Sequence, residues 1–330
     1  MGYYESIRDI VGHTPLMKLN RLGPVNGVNL FAKLEYMNPG GSMKDRIGIQ
    51  IIKEAEEKGE LKPGGTVIEA TAGNTGIGLA LAAVIFGYRT ILVVSGKFSE
   101  EKRNMMRALG AELVETSPEG GIDESIIVAD EMAEKIPGAF LAHQFKNEAN
   151  TRAHLVTGEE IWEDLDGKVD VLVAGAGSGG SISGIAKALK KHNPKIKVVL
   201  ADPVGSILGG GDPGVYKVEG IGNHFIPEIF DRSIADEVEK VRDEDAYYMA
   251  RIMALKEGVI GASSSGEALA AGIAQAYRSA PGTNIVMVFP DRADRYLSEN
   301  IYHFEKELSD YDISDHIKRY EKDLKIYDRE

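Results

Sequence analysis

The chain has 330 residues, is 43% hydrophobic, carries a formal net charge of −13 and contains no cysteine. That length predicts two domains or one large one, with enough apolar material for a sizeable core. The acidic balance argues against a general nucleic-acid surface, the missing cysteines exclude disulfides, thiolate metal sites and a cysteine nucleophile, and no apolar run approaches a membrane span.

The first residues, Met1-Gly2-Tyr3-Tyr4-Glu5, lack the basic-then-apolar pattern of a signal peptide, so a cytoplasmic protein is expected. Next comes Asn38-Pro39-Gly40-Gly41-Ser42-Met43-Lys44-Asp45-Arg46, a turn that delivers one lysine to the mouth of a helix over 47–58, with Ser42 as a natural cap. Lys44 is either a solvated lysine after a turn or a desolvated amine able to form a Schiff base, as pyridoxal phosphate requires. Asp45 and Arg46 read as a charge pair at the helix start.

Short β-branched runs at 66–69, 90–95, 112–115, 169–174, 197–201 and 284–289 then alternate with helical stretches at 76–86, 99–109, 123–135 and 180–191. Strands alternating with helices predict an α/β protein whose parallel sheets are covered on both faces. Two glycine-rich turns fall at the carboxyl ends of strands, at 71–76 and 175–181, where open α/β sheets bind ligands. Beyond them, Ile313, Ile317, Tyr320 and Leu324 recur at helical spacing in the charged tail 309–330, which predicts an amphipathic helix docking on the body or on a partner subunit. The seven histidines show no metal-ligand spacing, so no metal is assigned, and Trp162 reads as packing.

Gly175-Ala176-Gly177-Ser178-Gly179-Gly180 matches G-x-G-x-x-G, with Asp202 following the next strand, which fits a dinucleotide site. The loop itself shows something narrower: backbone N–H groups and a helix N-terminus aimed at an anion, which a single phosphate monoester satisfies equally. Its midway position and the second polar loop, Thr71-Ala72-Gly73-Asn74-Thr75-Gly76, favour pyridoxal phosphate plus an amino-acid carboxylate.

Together, N-P-G-G-S-M-K-D-R, T-A-G-N-T-G, G-S-G-G-S and S-S-S-G resemble the cysteine synthase / cystathionine β-synthase family of fold-type II pyridoxal-phosphate enzymes. Val11-Gly12-His13-Thr14-Pro15-Leu16, Gln144-Phe145, Glu219-Gly220-Ile221-Gly222 and Pro290-Asp291 extend the resemblance from about Ile7 to about Tyr302. The resemblance implies a tryptophan-synthase-β-like fold of two domains: a smaller mobile one at 38–147, and a larger one formed by 1–37 with 148–330. It implies that Lys44 holds the cofactor and moves the Cα proton, and that Asn74 bonds the cofactor's phenolic oxygen. Gly177, Ser178, Gly179, Gly180 and Ser181 would cradle the phosphate, and Ser264 would face the ring nitrogen. Thr71, Ala72, Gly73, Thr75 and Gln144 would receive the substrate carboxylate, and Gly220, Ile221 and Gly222 would line the entrance.

The implied reaction is β-replacement on an activated serine such as O-acetylserine, through an aminoacrylate. Sulfide as nucleophile gives cysteine, and homocysteine gives cystathionine. Release of hydrogen sulfide from cysteine, or serine/threonine dehydration, would use the same machinery. A neutral serine facing the ring suits elimination better than an aspartate, which would strengthen the electron sink. The implied partners are small amino-acid and thiol substrates, with neither nucleic acid nor membrane, and the implied assembly is a homodimer. Ala72 stands where the family usually has serine, Ala70 where it has proline, and Val204 where the cystathionine branch has an acidic side chain. These departures bear on substrate choice.

Overall fold

A computed structural model describes residues 2–22, 25–71, 73–96, 99–299 and 302. Ala72 and the predicted tail helix at 309–330 lie outside the described residues.

Ten strands form two sheets. Strands β1 (Leu16–Lys18), β2 (Asn29–Leu34), β7 (Val171–Gly175), β8 (Lys197–Pro203), β9 (Glu237–Val241) and β10 (Asn284–Phe289) make a six-stranded sheet in the order β1-β2-β10-β7-β8-β9. It is parallel except for the β1–β2 pair. Strands β3 (Thr66–Ala70), β4 (Arg89–Ser95), β5 (Glu112–Thr116) and β6 (Ala139–Leu141) make a four-stranded parallel sheet in the order β5-β4-β3-β6. All six strands expected from β-branched runs are present. The four that the pattern does not single out are short (β1 and β6), hold a buried charge (Lys33 in β2) or carry edge charges (β9).

Alternation along each buried strand divides the core between helices. Val171, Val173, Ile285 and Met287 face one cluster with α8 (Asp243–Glu257) and α9 (Ser263–Arg278). Leu172, Ala174, Val286 and Val288 face the opposite cluster with α6 (Leu155–Asp164) and α7 (Gly180–His192). On the smaller sheet, α4 (Gly121–Lys135) packs against Ile68, Ala70, Ile91 and Val93. Helices α1 (Lys44–Glu57), α2 (Asn74–Phe86) and α3 (Glu100–Ala108) complete the clusters holding Val67, Leu92 and Val94. Such two-sided cover is what near-continuous apolar parallel strands demand.

One crossing places the site. Helices α1 and α2 touch backbone to backbone: a Cβ on Gly48 would lie 2.1 Å from Gly78 O, and one on Gly78 would lie 2.2 Å from Lys44 O. Only glycine permits that approach. It brings the first residues of the two helices, Lys44 and Asn74, to the same end of the fold.

Candidate active site

The two glycine loops and the Lys44 turn are linked by shared contacts: Asp291 bridges Ser42 and bonds Asn74, and Met43 packs with the second loop. Met43, beside Lys44, packs in the same cluster as Ala176 of the second loop and Ile182 of α7. Met43 itself occupies the helix cap position, one residue later than expected, while Ser42 Oγ accepts the Lys44 N–H at 3.2 Å. Burial lowers the Lys44 ammonium pKa to about 8 against the opposing pull of Asp291. A lysine held there is a competent base and amine near neutral pH.

The expected Asp45–Arg46 pair does not form. Asp45 Oδ2 accepts the Gly40 N–H at 2.5 Å, and burial pushes its carboxyl up to about 7. Arg46 instead bridges Glu35 and Glu160, both at 2.7 Å, and Lys33 joins Glu160 at 3.0 Å. The first turn of α1 is thereby tied to the turn that follows β2 and to α6. The pattern misread Arg46 because its partners lie far away in sequence.

In the first loop, Thr71 Oγ1 accepts the N–H groups of Gly73 at 3.0 Å and Gly76 at 3.1 Å, so this hydroxyl shapes the loop. Gly73 lies under the stem of Lys102, where a Cβ would meet Lys102 Cδ at 2.3 Å. Asn74 Nδ2 donates to Asp291 Oδ2 at 2.7 Å and to Tyr296 OH at 3.2 Å, while its Oδ1 accepts from Arg295 at 2.5 Å. Thr75 donates to Gln144 Oε1 at 2.7 Å, and Gln144 Nε2 donates to Ala70 O at 2.9 Å and Glu69 at 3.2 Å. Glu69 is almost wholly buried, and burial raises its carboxyl to about 8. Behind it a cavity of about 100 Å³ opens between Asp130, His143, Phe145 and Phe225.

The second loop leaves β7 at Gly175 and enters α7 at Gly180. Gly179 adopts φ +82°, and a Cβ there would lie 2.4 Å from Phe230. The first-turn N–H groups of α7, over Gly180 and Ser181, have no carbonyl to meet within the helix, which makes them donors for an anion. Asn150 Nδ2 joins the loops: it donates to Gln144 O and to Ser178 Oγ, both at 2.9 Å. Gly222 N–H donates to Ala176 O at 2.7 Å, and a Cβ on Gly177 would meet Gly220 O at 2.7 Å, so 220–222 lies along the second loop. The side chain of Ile221 turns into the core against Gly175, and a Cβ on Gly222 would meet the Tyr216 ring at 2.8 Å. Ser264 sits in the first turn of α9 and donates to Asp291 Oδ1 at 3.1 Å. Asp202, which a dinucleotide reading would place on a ribose, is fully buried, pairs with Lys240 and accepts Gly209 N–H at 2.9 Å.

A family model for pyridoxal-phosphate dependent enzymes matches residues 7–291. The chain belongs to this family of pyridoxal-phosphate-dependent enzymes. It is 48% identical to the O-acetylserine dependent cystathionine beta-synthase of Bacillus subtilis, over 92% of this chain and 99% of that protein. It is 41% identical to a cysteine synthase of Staphylococcus aureus, over 91% and 98%. Among solved structures it is similar to a cysteine synthase from Entamoeba histolytica (TM-score 0.89, 38% identity, 92% of each chain). A second is the O-acetylserine dependent cystathionine beta-synthase from Helicobacter pylori (TM-score 0.87, 42% identity, 92% of this chain and 100% of that one). These matches place it in the cysteine synthase / cystathionine β-synthase group of the family, with the fold-type II architecture.

The residues present fit the family's cofactor. Gly177, Gly179 and Gly180 leave space that a Cβ would fill against Gly220 O, Phe230 and Asn150, and the helix entrance supplies unpaired donors for a phosphate. Next to Met43, which packs against that loop, stands a lysine of lowered pKa. Asp291, Asn150, Arg295, Tyr296 and Glu69 hydrogen-bond to the predicted site residues and were not singled out from sequence. Pro290-Asp291 alone carried a signal, as part of the resemblance, without a role. Among the described residues no group of three or more His, Cys, Asp or Glu is arranged to hold a metal ion.

Proposed function

We propose that this protein catalyses β-replacement on O-acetylserine: a thiol displaces acetate from Cβ, with sulfide giving cysteine and homocysteine giving cystathionine. The observation that carries the reading is a lysine of lowered pKa beside two glycine loops that enter helices, in a chain 48% identical to an O-acetylserine-dependent enzyme. When bound, the cofactor supplies an electron sink for the carbanion at Cα.

This chain's own residues do the rest. Lys44 holds the cofactor covalently, and its freed amine takes the proton from Cα and returns it after the thiol has added. Gly177, Ser178, Gly179, Gly180 and Ser181 bind the phosphate, Asn74 the phenolic oxygen, and Ser264 faces the ring nitrogen. Thr71, Ala72, Gly73, Thr75 and Gln144 receive the substrate carboxylate; with Ala72 offering no hydroxyl, backbone N–H groups carry more of that contact. Gly220 and Gly222, flanking Ile221, line the entrance. Residues 38–147 form the smaller, mobile unit around the four-stranded sheet, and 1–37 with 148–330 form the larger. A homodimer working in the cytoplasm completes the reading; among the described residues no helix is long and apolar enough to cross a membrane.

The test is a substrate matrix: O-acetylserine, serine and cysteine, each with sulfide or homocysteine. O-acetylserine with either thiol is expected to be fastest. Lys44→Ala is expected to abolish the cofactor's visible lysine-linked band and to lower turnover by about 10³-fold or more. Pyruvate formed from serine without any thiol, at a rate above replacement, would make the protein a dehydratase. Faster sulfide release from cysteine would instead align it with the hydrogen sulfide-producing enzyme of Fusobacterium nucleatum, to which it is 37% identical.

A further inference from the structure

Asp291 stands where the two halves of the cleft meet. It is 2% exposed and follows β10 by two residues. Its backbone is stitched on both sides: it bridges Ser42 in antiparallel fashion, Met43 N–H donates to Pro290 O at 2.9 Å, and Ala262 N–H donates to Asp291 O at 3.1 Å. The same residue therefore fixes the turn before Lys44 and the start of α9. Its side chain collects donors from three segments. Oδ1 accepts from Ser264 at 3.1 Å; Oδ2 accepts from Asn74 Nδ2 at 2.7 Å and from the Tyr296 hydroxyl. An amide NH₂ only donates, and a hydroxyl has one proton. With that proton directed at Asp291, Ser264 has only lone pairs to offer any other group.

We propose that Asp291 is the positioning residue of this site: it orients Asn74 and Ser264 as a unit, provides the countercharge to Lys44, and makes Ser264 a hydrogen-bond acceptor toward the cofactor's ring nitrogen. The last element rests on the assignment of Ser264 given under the proposed function; the first two stand without it. A serine backed by a carboxylate favours a protonated ring, a proposal that departs from the neutral-serine expectation drawn from sequence.

The charged surroundings are few. Lys44 feels Asp291 and lies near buried His154, at the α5 (Ala149–Ala153) to α6 junction. Asp291 is faced by Lys44, Tyr296 and Tyr302, and Arg295 reaches the same Asn74 amide. Lys102 lies over the Tyr296 ring, 4.0 Å from its centroid, and pairs with Glu219.

Two measurements test the proposal. In the full chain freed of cofactor, the carbamylation of Lys44 by cyanate is followed against pH. Asp291→Asn is expected to lower the midpoint by about one unit, a roughly tenfold gain in reactivity below it. Tyr296→Phe, which keeps the charge, is expected to leave the midpoint in place. A midpoint unmoved by Asp291→Asn, or moved upward, overturns the countercharge. In the holoenzyme loaded with ring-¹⁵N pyridoxal phosphate, the wild-type nitrogen resonance is expected in the protonated range, moving to the unprotonated range in Asp291→Asn. An unprotonated nitrogen in the wild type refutes the Ser264 part even if the variant does not fold. Failure of the wild-type chain to take up the cofactor would refute the functional reading, while the cyanate titration still decides on the countercharge.

Discussion

The loops at 71–76 and 175–181 share one grammar: a buried parallel strand, a glycine turn, a helix entrance. They differ in what surrounds them. The second loop is almost bare backbone, with Gly179 at φ +82° and glycine Cα atoms against Phe230 and Gly220 O. The first is held by side chains in series, Thr75 to Gln144 to Glu69, and is overlain by Lys102. A backbone nest with a helix dipole suits a compact, permanently charged phosphate. Adjustable side chains suit a group that must enter and leave in each turnover. On the proposed reading, similar local sequences thus acquire different work from their neighbours.

The most severe way to break this contrast is to put a side chain into the backbone loop. Gly179→Ala is expected to cost about 2–4 kcal/mol, from its left-handed backbone and the clash with Phe230. Chemical denaturation and cofactor release would both show it; a variant as stable and as tightly loaded as wild type would remove the phosphate cradle from the account. Next comes the tie between the loops. Asn150→Leu leaves Gln144 O and Ser178 Oγ without their donor and is expected to cost about 2 kcal/mol, with weaker binding of both amino acid and cofactor. Loss of only one of the two would mean that the loops act independently.

Glu69, near the end of β3 and behind the first loop, supplies a pH signature of its own. Its folded pKa of about 8 exceeds the ordinary 4.5, so the folded state keeps a proton that the unfolded chain releases. The stabilisation is complete below the ordinary value and is lost as pH rises toward 8. Glu69→Gln, locked neutral, is expected to show a smaller fall in urea midpoint across that window than wild type; equal slopes would show that Glu69 is not the titrating group. The smallest effect is expected from Glu219→Gln, which weakens the pairing of Lys102 but leaves that ammonium over the Tyr296 ring. About 1 kcal/mol is expected, read as a loss of salt dependence in stability.

Much of this architecture is legible in the chain because it is local. Strand β4 and helix α7 announce themselves through apolar runs and periodicity, and both loops through glycine at strand ends. Arg46 shows where legibility stops: beside Asp45 it reads as a local pair, yet it bonds Glu35 and Glu160, the second 114 residues away. Asn150 carries no pattern, and its importance comes only from lying between Gln144 and Ser178.

The sequence alone determined the fold class, through the short-range spacing of turns, caps and apolar residues, and its motifs carried the family resemblance that points to Lys44 as the proposed cofactor lysine. Tertiary structure decided how that lysine is tuned and who its neighbours are. Glycine contacts between α1 and α2 bring Lys44 and Asn74 together, and Asp291 reaches Asn74 across 217 residues of chain. Such pairings are set by which helices can approach closely enough to bury their backbones, and only the packed protein fixes that.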